Sequence, residues 1–250
     1  MKISPLEDGK SNVELIDHMG HDLRVANAAR VSMHKESTWD EECACGGNCW
    51  EPGCHKGCSP TGRKVLKNRD SGLLSFLSRN DHWTPFGHCM VTLRLKMPFF
   101  VAREWFRHEV GFVRNEMSRR YVTDEPEFYQ PSKWRAAAEG VKQGSSDQIV
   151  MDNSICESIA DSISNESLSD YKYLLDRGVA PEQARMVLPM NTYTEFYETG
   201  SLYAYARLCR QRLPSDAQQE IRSYAKAVSR HMAYLFPHSW RVLMAGVEDG

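Results

Sequence analysis

Apolar positions recur along this chain at two periods. Together they predict a fold of α/β (α+β) class, a central antiparallel sheet packed with helices. β-branched or alternating segments mark strands at residues 12–17, 89–95 and 192–199. Helical spacing marks residues 21–32, 70–79 and 202–212, and a long amphipathic stretch at 152–177 that Gly178 closes. Proline suits a first turn, so Pro98, Pro181 and Pro214 are each read as opening a helix, the first running to about His108, the second to Arg185 and the third to about Leu235. His82–Phe86 reads as a turn. Gly111 ends the Pro98 helix, and in an extended segment beyond it Glu116, Ser118 and Arg120 would project to one side. Residues 136–147 read as mobile. The pattern breaks at 37–64, where glycine, cysteine, proline and charge predict an insertion loop within one domain spanning 1–250.

Composition narrows the function classes. Hydrophobic residues make up 41% and charged residues 26% of 250 positions, an ordinary globular balance. The formal charge of -2 gives no global basic field for nucleic acid. No stretch is long and apolar enough to cross a bilayer, and the first residues lack a secretory apolar core. A cytoplasmic location is expected, the host cytoplasm if the protein is viral.

The densest chemistry lies in Arg107–Tyr121, which holds four arginines, a histidine, two glutamates and a serine just after the apolar run Met97–Ala102. A cationic, donor-rich surplus there suits a phosphorylated small molecule or a nucleotide cofactor. A second cluster gathers Cys43, Cys45, Cys49, Cys54, His55 and Cys58. Four thiolates, or three and an imidazole, suit a closed structural zinc site. The spacing is uneven, so free thiols remain an equal reading.

Several segments resemble the flavin-dependent thymidylate synthases. The family motif runs Arg-His-Arg, two residues, Ser, one residue, Asn-Glu, one residue, Ser, one residue, Arg-Tyr. This chain keeps Arg107-His108 and Asn115-Glu116-Met117-Ser118-Arg119-Arg120-Tyr121, with Glu109 in the third place and one extra residue between the halves. Ala29-Arg30-Val31-Ser32, the turn His82-Trp83-Thr84-Pro85-Phe86, the element Ala184–Pro189, and Arg212 followed by Ala217-Gln218 and Glu220-Ile221 resemble further family segments, in family order. The motif ending is similar to members carried by bacterial viruses.

The resemblance implies conversion of dUMP to dTMP, with methylene-tetrahydrofolate as carbon donor and NADPH as reductant through FAD. It implies a methyltransferase flavoprotein acting as a homotetramer on small molecules, with no nucleic-acid or membrane partner. By position, Arg212 is the catalytic arginine against the uracil ring. Glu104, Arg107, Glu116, Ser118, Arg120, Arg185 and Arg212 would bind dUMP. Ser32, His82, Thr84, Arg107, His108, Glu109, Glu116, Ser201, Tyr203 and Arg207 would face FAD. Glu104, Glu109, Ser201 and Tyr203 depart from the usual family residues, which leaves flavin affinity and base choice open. Taken singly, each arginine reads as a surface salt-bridge residue, and His82 and His108 as packing or capping histidines. Two alternatives stand beside this reading. One is a related pyrimidine nucleotide methylase or hydroxymethylase on the same scaffold. The other is a zinc-containing nucleic-acid-binding protein.

Overall fold

In a computed structural model of the chain, residues 2–44, 60–138, 140 and 145–247 are described. The strands and helices follow in chain order as β1 (Lys2–Ile3), β2 (Asn12–Met19), α1 (Asp22–Arg30), β3 (Asp40–Cys43), β4 (Pro60–Val65), α2 (Asn68–Arg79), β5 (Met90–Pro98), α3 (Phe99–Trp105), β6 (Phe112–Glu116), β7 (Arg135–Ala137), β8 (Ser145–Ile149), α4 (Asn153–Asp176), α5 (Pro181–Ala184), β9 (Tyr193–Ser201), α6 (Leu202–Arg212), α7 (Gln219–Leu235) and α8 (Pro237–Leu243).

Five strands form one antiparallel sheet in the order β1-β2-β5-β9-β6. Alternation on the central strand explains which face is covered. Val91, Leu93, Leu95 and Met97 of β5 are fully buried, whereas the residues between them are only partly so. Helix α7 lays Ile221, Tyr224, Ala225, Val228 and Met232 into the same core, and α6 adds Leu202, Tyr205, Ala206, Leu208 and Cys209. These offsets of three and four are one face of each helix. The sheet's outer strand β6 leaves one edge open to whatever lies beside it.

Local chemistry shifts several boundaries from the sequence reading. α3 ends at Trp105 and not His108, because the backbone tightens: Arg107 N donates to Glu104 O at 3.4 Å and His108 N to Trp105 O at 3.1 Å. α7 starts at Gln219, since Pro214 opens only a turn closed by Ala217 N on Pro214 O at 3.0 Å. The short α8 went unread; Asp22 ties its start to α1 by accepting from His238 N at 3.0 Å and Ser239 N at 2.8 Å.

The stems of the 37–64 insertion are not loop but a hairpin, β3 with β4, in which Glu41 lies opposite Lys64. Likewise both ends of 136–147, the segment read as mobile, lie in paired strands, with Ala137 of β7 opposite Ser145 of β8. Cys43 is buried. The other five zinc candidates, Cys45, Cys49, Cys54, His55 and Cys58, lie outside the described residues, and among the described residues no three metal-binding side chains cluster. Among those residues, no helix is long and apolar enough to cross a membrane.

Candidate active site

Two cavities sit at opposite ends of the edge strand β6. Phe112 lines one and Glu116 the other. Four residue steps at strand rise put them roughly 13 Å apart.

The first cavity, about 460 Å³, is lined by Arg107, His108, Glu109, Arg207 and Arg212, among others. The backbone brings these residues together in three moves. The tight end of α3 presents Arg107 and His108. Gly111 then turns the chain at φ +87°, a conformation that disfavours a side chain, and a Cβ there would also meet Ala204 Cβ at 2.9 Å. Gly200 of β9 lets the Phe112 ring lie flat on the strand; a Cβ would stand 2.4 Å from that ring. Phe112 and Tyr205 then meet edge to face at 4.9 Å. α6 supplies Arg207 and Arg212 from the far wall.

Arg212 is the hub of this cavity. Its Nε donates to His108 Nε2 at 2.9 Å, and its Nη1 forms an ion pair with Glu104 Oε1. Burial pushes the His108 imidazole down to about 4, helped by the charges of Arg212, Arg114, Arg207 and Arg107. At neutral pH the ring is therefore uncharged. Because Nε2 accepts from Arg212, the proton resides on Nδ1, which can donate to a ligand. Arg107 and Arg207 make no hydrogen bond or ion pair among the described residues. Three guanidinium groups and one N–H donor against Glu104 and Glu109 leave a modest cationic surplus. That donor set fits a diphosphate-bearing cofactor or a nucleotide phosphate.

The second cavity, about 430 Å³, is lined by Phe99, Glu116, Ser118, Arg119 and Arg185, among others. The one-sided extended row of Glu116, Ser118 and Arg120 does not form. β6 stops at Glu116, and Ser118 opens a turn in which Tyr121 N donates to Ser118 O at 3.0 Å. Ser118 Oγ accepts from Arg120 N at 3.3 Å, and Glu116 Oε1 accepts from the Thr194 hydroxyl at 2.6 Å. Residue 182 gathers the two arginines. Arg120 Nε donates to the Glu182 carboxylate at 3.3 Å, and Arg185 Nε to the Glu182 carbonyl at 3.2 Å.

A third group adjoins the first cavity along α6. Tyr203, one turn before Arg207, donates to Asp81 Oδ1 at 2.8 Å and stacks on Trp83 at 5.6 Å. His82 meets Phe76 edge-on at 5.8 Å, and Thr84 opens the 84–88 turn. Trp83 and Phe76 were not singled out from sequence, although half-exposed aromatics beside two predicted site residues are a ready stacking ledge. Ser201 is committed as the cap of α6, its Oγ accepting from Ala204 N at 3.1 Å. Ser32 stands on the exposed turn after α1, away from both cavities.

Sequence reasoning also missed the support beneath the first cavity. Arg114 pairs with Glu198, a carboxylate buried on the core side of β9. No pattern in 193–201 marks Glu198, because Glu195 stands in the same strand and the core-facing positions Thr194, Phe196 and Gly200 are not an apolar run.

Comparison with known proteins identifies the family of the chain. A family model described as thymidylate synthase complementing protein matches residues 14–238. The chain is 34% identical over 241 residues to a flavin-dependent thymidylate synthase of Thermus thermophilus, covering 96% of this chain and 78% of the relative. It is 36% identical over 230 residues to that of Thermotoga neapolitana, covering 92% and 88%. The UMP/dUMP methylase PolB from Streptomyces cacaoi, solved with 5-Br dUMP, superposes with a TM-score of 0.76 at 27% identity, covering 95% of this chain and 97% of that one. With one model spanning most of its length and relatives above 30% identity, the chain is an enzyme that belongs to the flavin-dependent thymidylate synthase family.

Proposed function

We propose that the protein converts dUMP to dTMP, taking a carbon from methylene-tetrahydrofolate and reducing equivalents from NADPH through FAD. The observation that carries this reading is the cluster of Arg212, His108 and Glu104 facing a cavity with two uncommitted guanidinium groups, Arg107 and Arg207.

FAD, when bound, supplies hydride transfer and carries the one-carbon unit. The chain's residues bind, orient and hold charge. Arg212 stays protonated at any working pH and stabilises negative charge developing on the pyrimidine. His108 offers its Nδ1–H as a neutral donor. Arg107, Arg207 and the Trp83–Tyr203 ledge fit the phosphates and rings of a flavin dinucleotide. Glu104 takes one face of Arg212 and so fixes the direction of the other donors. At the far end of β6, Arg120 and Arg185, already brought together at residue 182, fit a nucleotide monophosphate, with Ser118 as an added donor.

In one protomer these two groups lie at opposite ends of a strand. We infer that the working form is a homotetramer in which the Arg185 end of one copy completes the Arg212 end of another. The Cys-rich insertion lies apart from this chemistry, and a structural zinc there is a separate proposal. Atomic absorption on purified protein tests it: stoichiometric zinc supports it and its absence overturns it.

A second reading has one specific observation in its favour, the likeness to a methylase named for both UMP and dUMP. Assaying tritium release from C5-labelled dUMP, UMP and dCMP in parallel separates the readings. FAD-dependent release from dUMP with dTMP formed supports the first. Release from UMP or dCMP with none from dUMP overturns it.

A further inference from the structure

We propose that Arg114 and Glu198 are positioning residues that hold the His108–Arg212 face of the active site from beneath. The proposal deepens the reading above and depends on that cavity being the active site.

Register places the two side chains directly opposite each other on β6 and β9. Glu198 occupies a core-facing position between Phe196 and Gly200 and is fully buried. Both its oxygens accept from Trp105 Nε1, at 3.2 and 3.1 Å, and one also pairs with Arg114 Nε. The far nitrogen of the same guanidinium donates to the His108 carbonyl. Aromatic rings flank it, Phe112 at 4.9 Å and Phe106 at 5.3 Å. The guanidinium is thus fixed at both ends and on its faces.

A buried ion pair is weak evidence for stability, because desolvating both ions offsets their attraction. This one is better explained by what it grips. The His108 peptide is the backbone group it engages, and the His108 ring in turn receives Arg212. Turning that peptide would carry the imidazole off Arg212 and release Glu104 with it. The links run unbroken from Glu198 through Arg114, His108 and Arg212 to Glu104. The charged groups around His108 are Arg107 and Glu109 on its own turn, Arg114 on β6, Arg207 and Arg212 on α6, and Glu104 on α3. Arg114 is the one among them that binds the His108 backbone.

The test replaces both residues at once, as R114M/E198L, which removes no net charge and keeps the core filled. Melting within a few degrees of wild type is expected, as for other apolar replacements of buried pairs. The readout, taken in this variant and in R114K, which keeps the charge at 114 that itself lowers His108, is the imidazole titration of His108, followed by NMR in flavin-free protein and assigned with H108Q. It is expected to rise from about 4 by about one pH unit. FAD affinity should fall about tenfold. A folded double variant with an unchanged His108 titration overturns the proposal. R114K keeps a cation for Glu198 but lacks the second nitrogen that reaches His108, and an unchanged titration there overturns it too, whether or not the double variant folds. Because the titration needs no cofactor, wild-type protein that binds no FAD would refute the functional reading alone.

Discussion

The two ends of β6 are built on opposite principles. At the Phe112 end a buried carboxylate, a sandwiched arginine and two tightly packed glycines hold His108 and Arg212 in place before any ligand arrives, while Arg107 and Arg207 stay uncommitted. At the Glu116 end the functional arginines rest on Glu182. The Arg120–Glu182 pair is half exposed on both sides, at 52% and 55%. Exposed pairs of that kind contribute roughly 0–1 kcal/mol. One end is therefore preorganised, as stabilisation of developing charge requires. The other is held loosely enough to adjust as a phosphate or a neighbouring copy closes on it. Under the proposed function, chemistry and substrate capture would fall on two ends of one strand that are held with different stiffness.

The largest expected effect breaks the rigid end. R212M should lower kcat by roughly 100- to 1000-fold, the cost of removing one fixed donor from a developing anion. A drop below tenfold in steady-state turnover would show that the cavity does not serve the ring. R185M should break the loose end differently, raising KM for dUMP about tenfold with a smaller change in kcat. Equal loss in kcat alone would move Arg185 from capture to chemistry.

G200A sharpens the packing side of the contrast. Its Cβ would lie 2.4 Å from the Phe112 ring and 3.1 Å from Tyr205, so a cost of about 1–3 kcal/mol is expected, read as a fall in Tm of several degrees. E182Q, by contrast, should change Tm by little, about 1 kcal/mol or less.

A pH effect separates the ends as well. The folded state holds the His108 ring near 4, below its usual 6.5. The unfolded chain takes up that proton first, so stability is lost as pH falls from about 6.5 towards about 4. H108Q should flatten thermal stability across that window, whereas E182Q should not.

Much of the fold could be read from the chain because local pattern and tertiary demand agreed. α6 matches its sequence reading at Leu202–Arg212, and α4 matches Asp152–Arg177 within a residue at each end. Boundaries failed where backbone hydrogen bonding overrode side-chain spacing, as at Trp105 and at the turn opened by Ser118. The two hairpin stems, β3–β4 and β7–β8, escaped because their pairing rests on register between polar segments and not on apolar alternation.

The candidate site could be read as a set of residue types but not as a geometry. Motif order pointed to Arg107, His108, Arg185 and Arg212, yet gave no sign that Arg212 would join His108 to Glu104, or that Arg120 and Arg185 would meet at residue 182. Arg114 and Glu198 stayed hidden because a cross-strand pair is set by register, which neither segment specifies alone.

Mixed assemblies test the division of labour most directly. R212M and R185M subunits, each inactive or impaired alone, would be co-expressed with different tags, purified as heteromers and assayed for dTMP formation. If the Arg185 end of one copy completes the Arg212 end of another, some sites regain both wild-type groups and the heteromer exceeds either parent. Heteromers no more active than their parents would contradict the account.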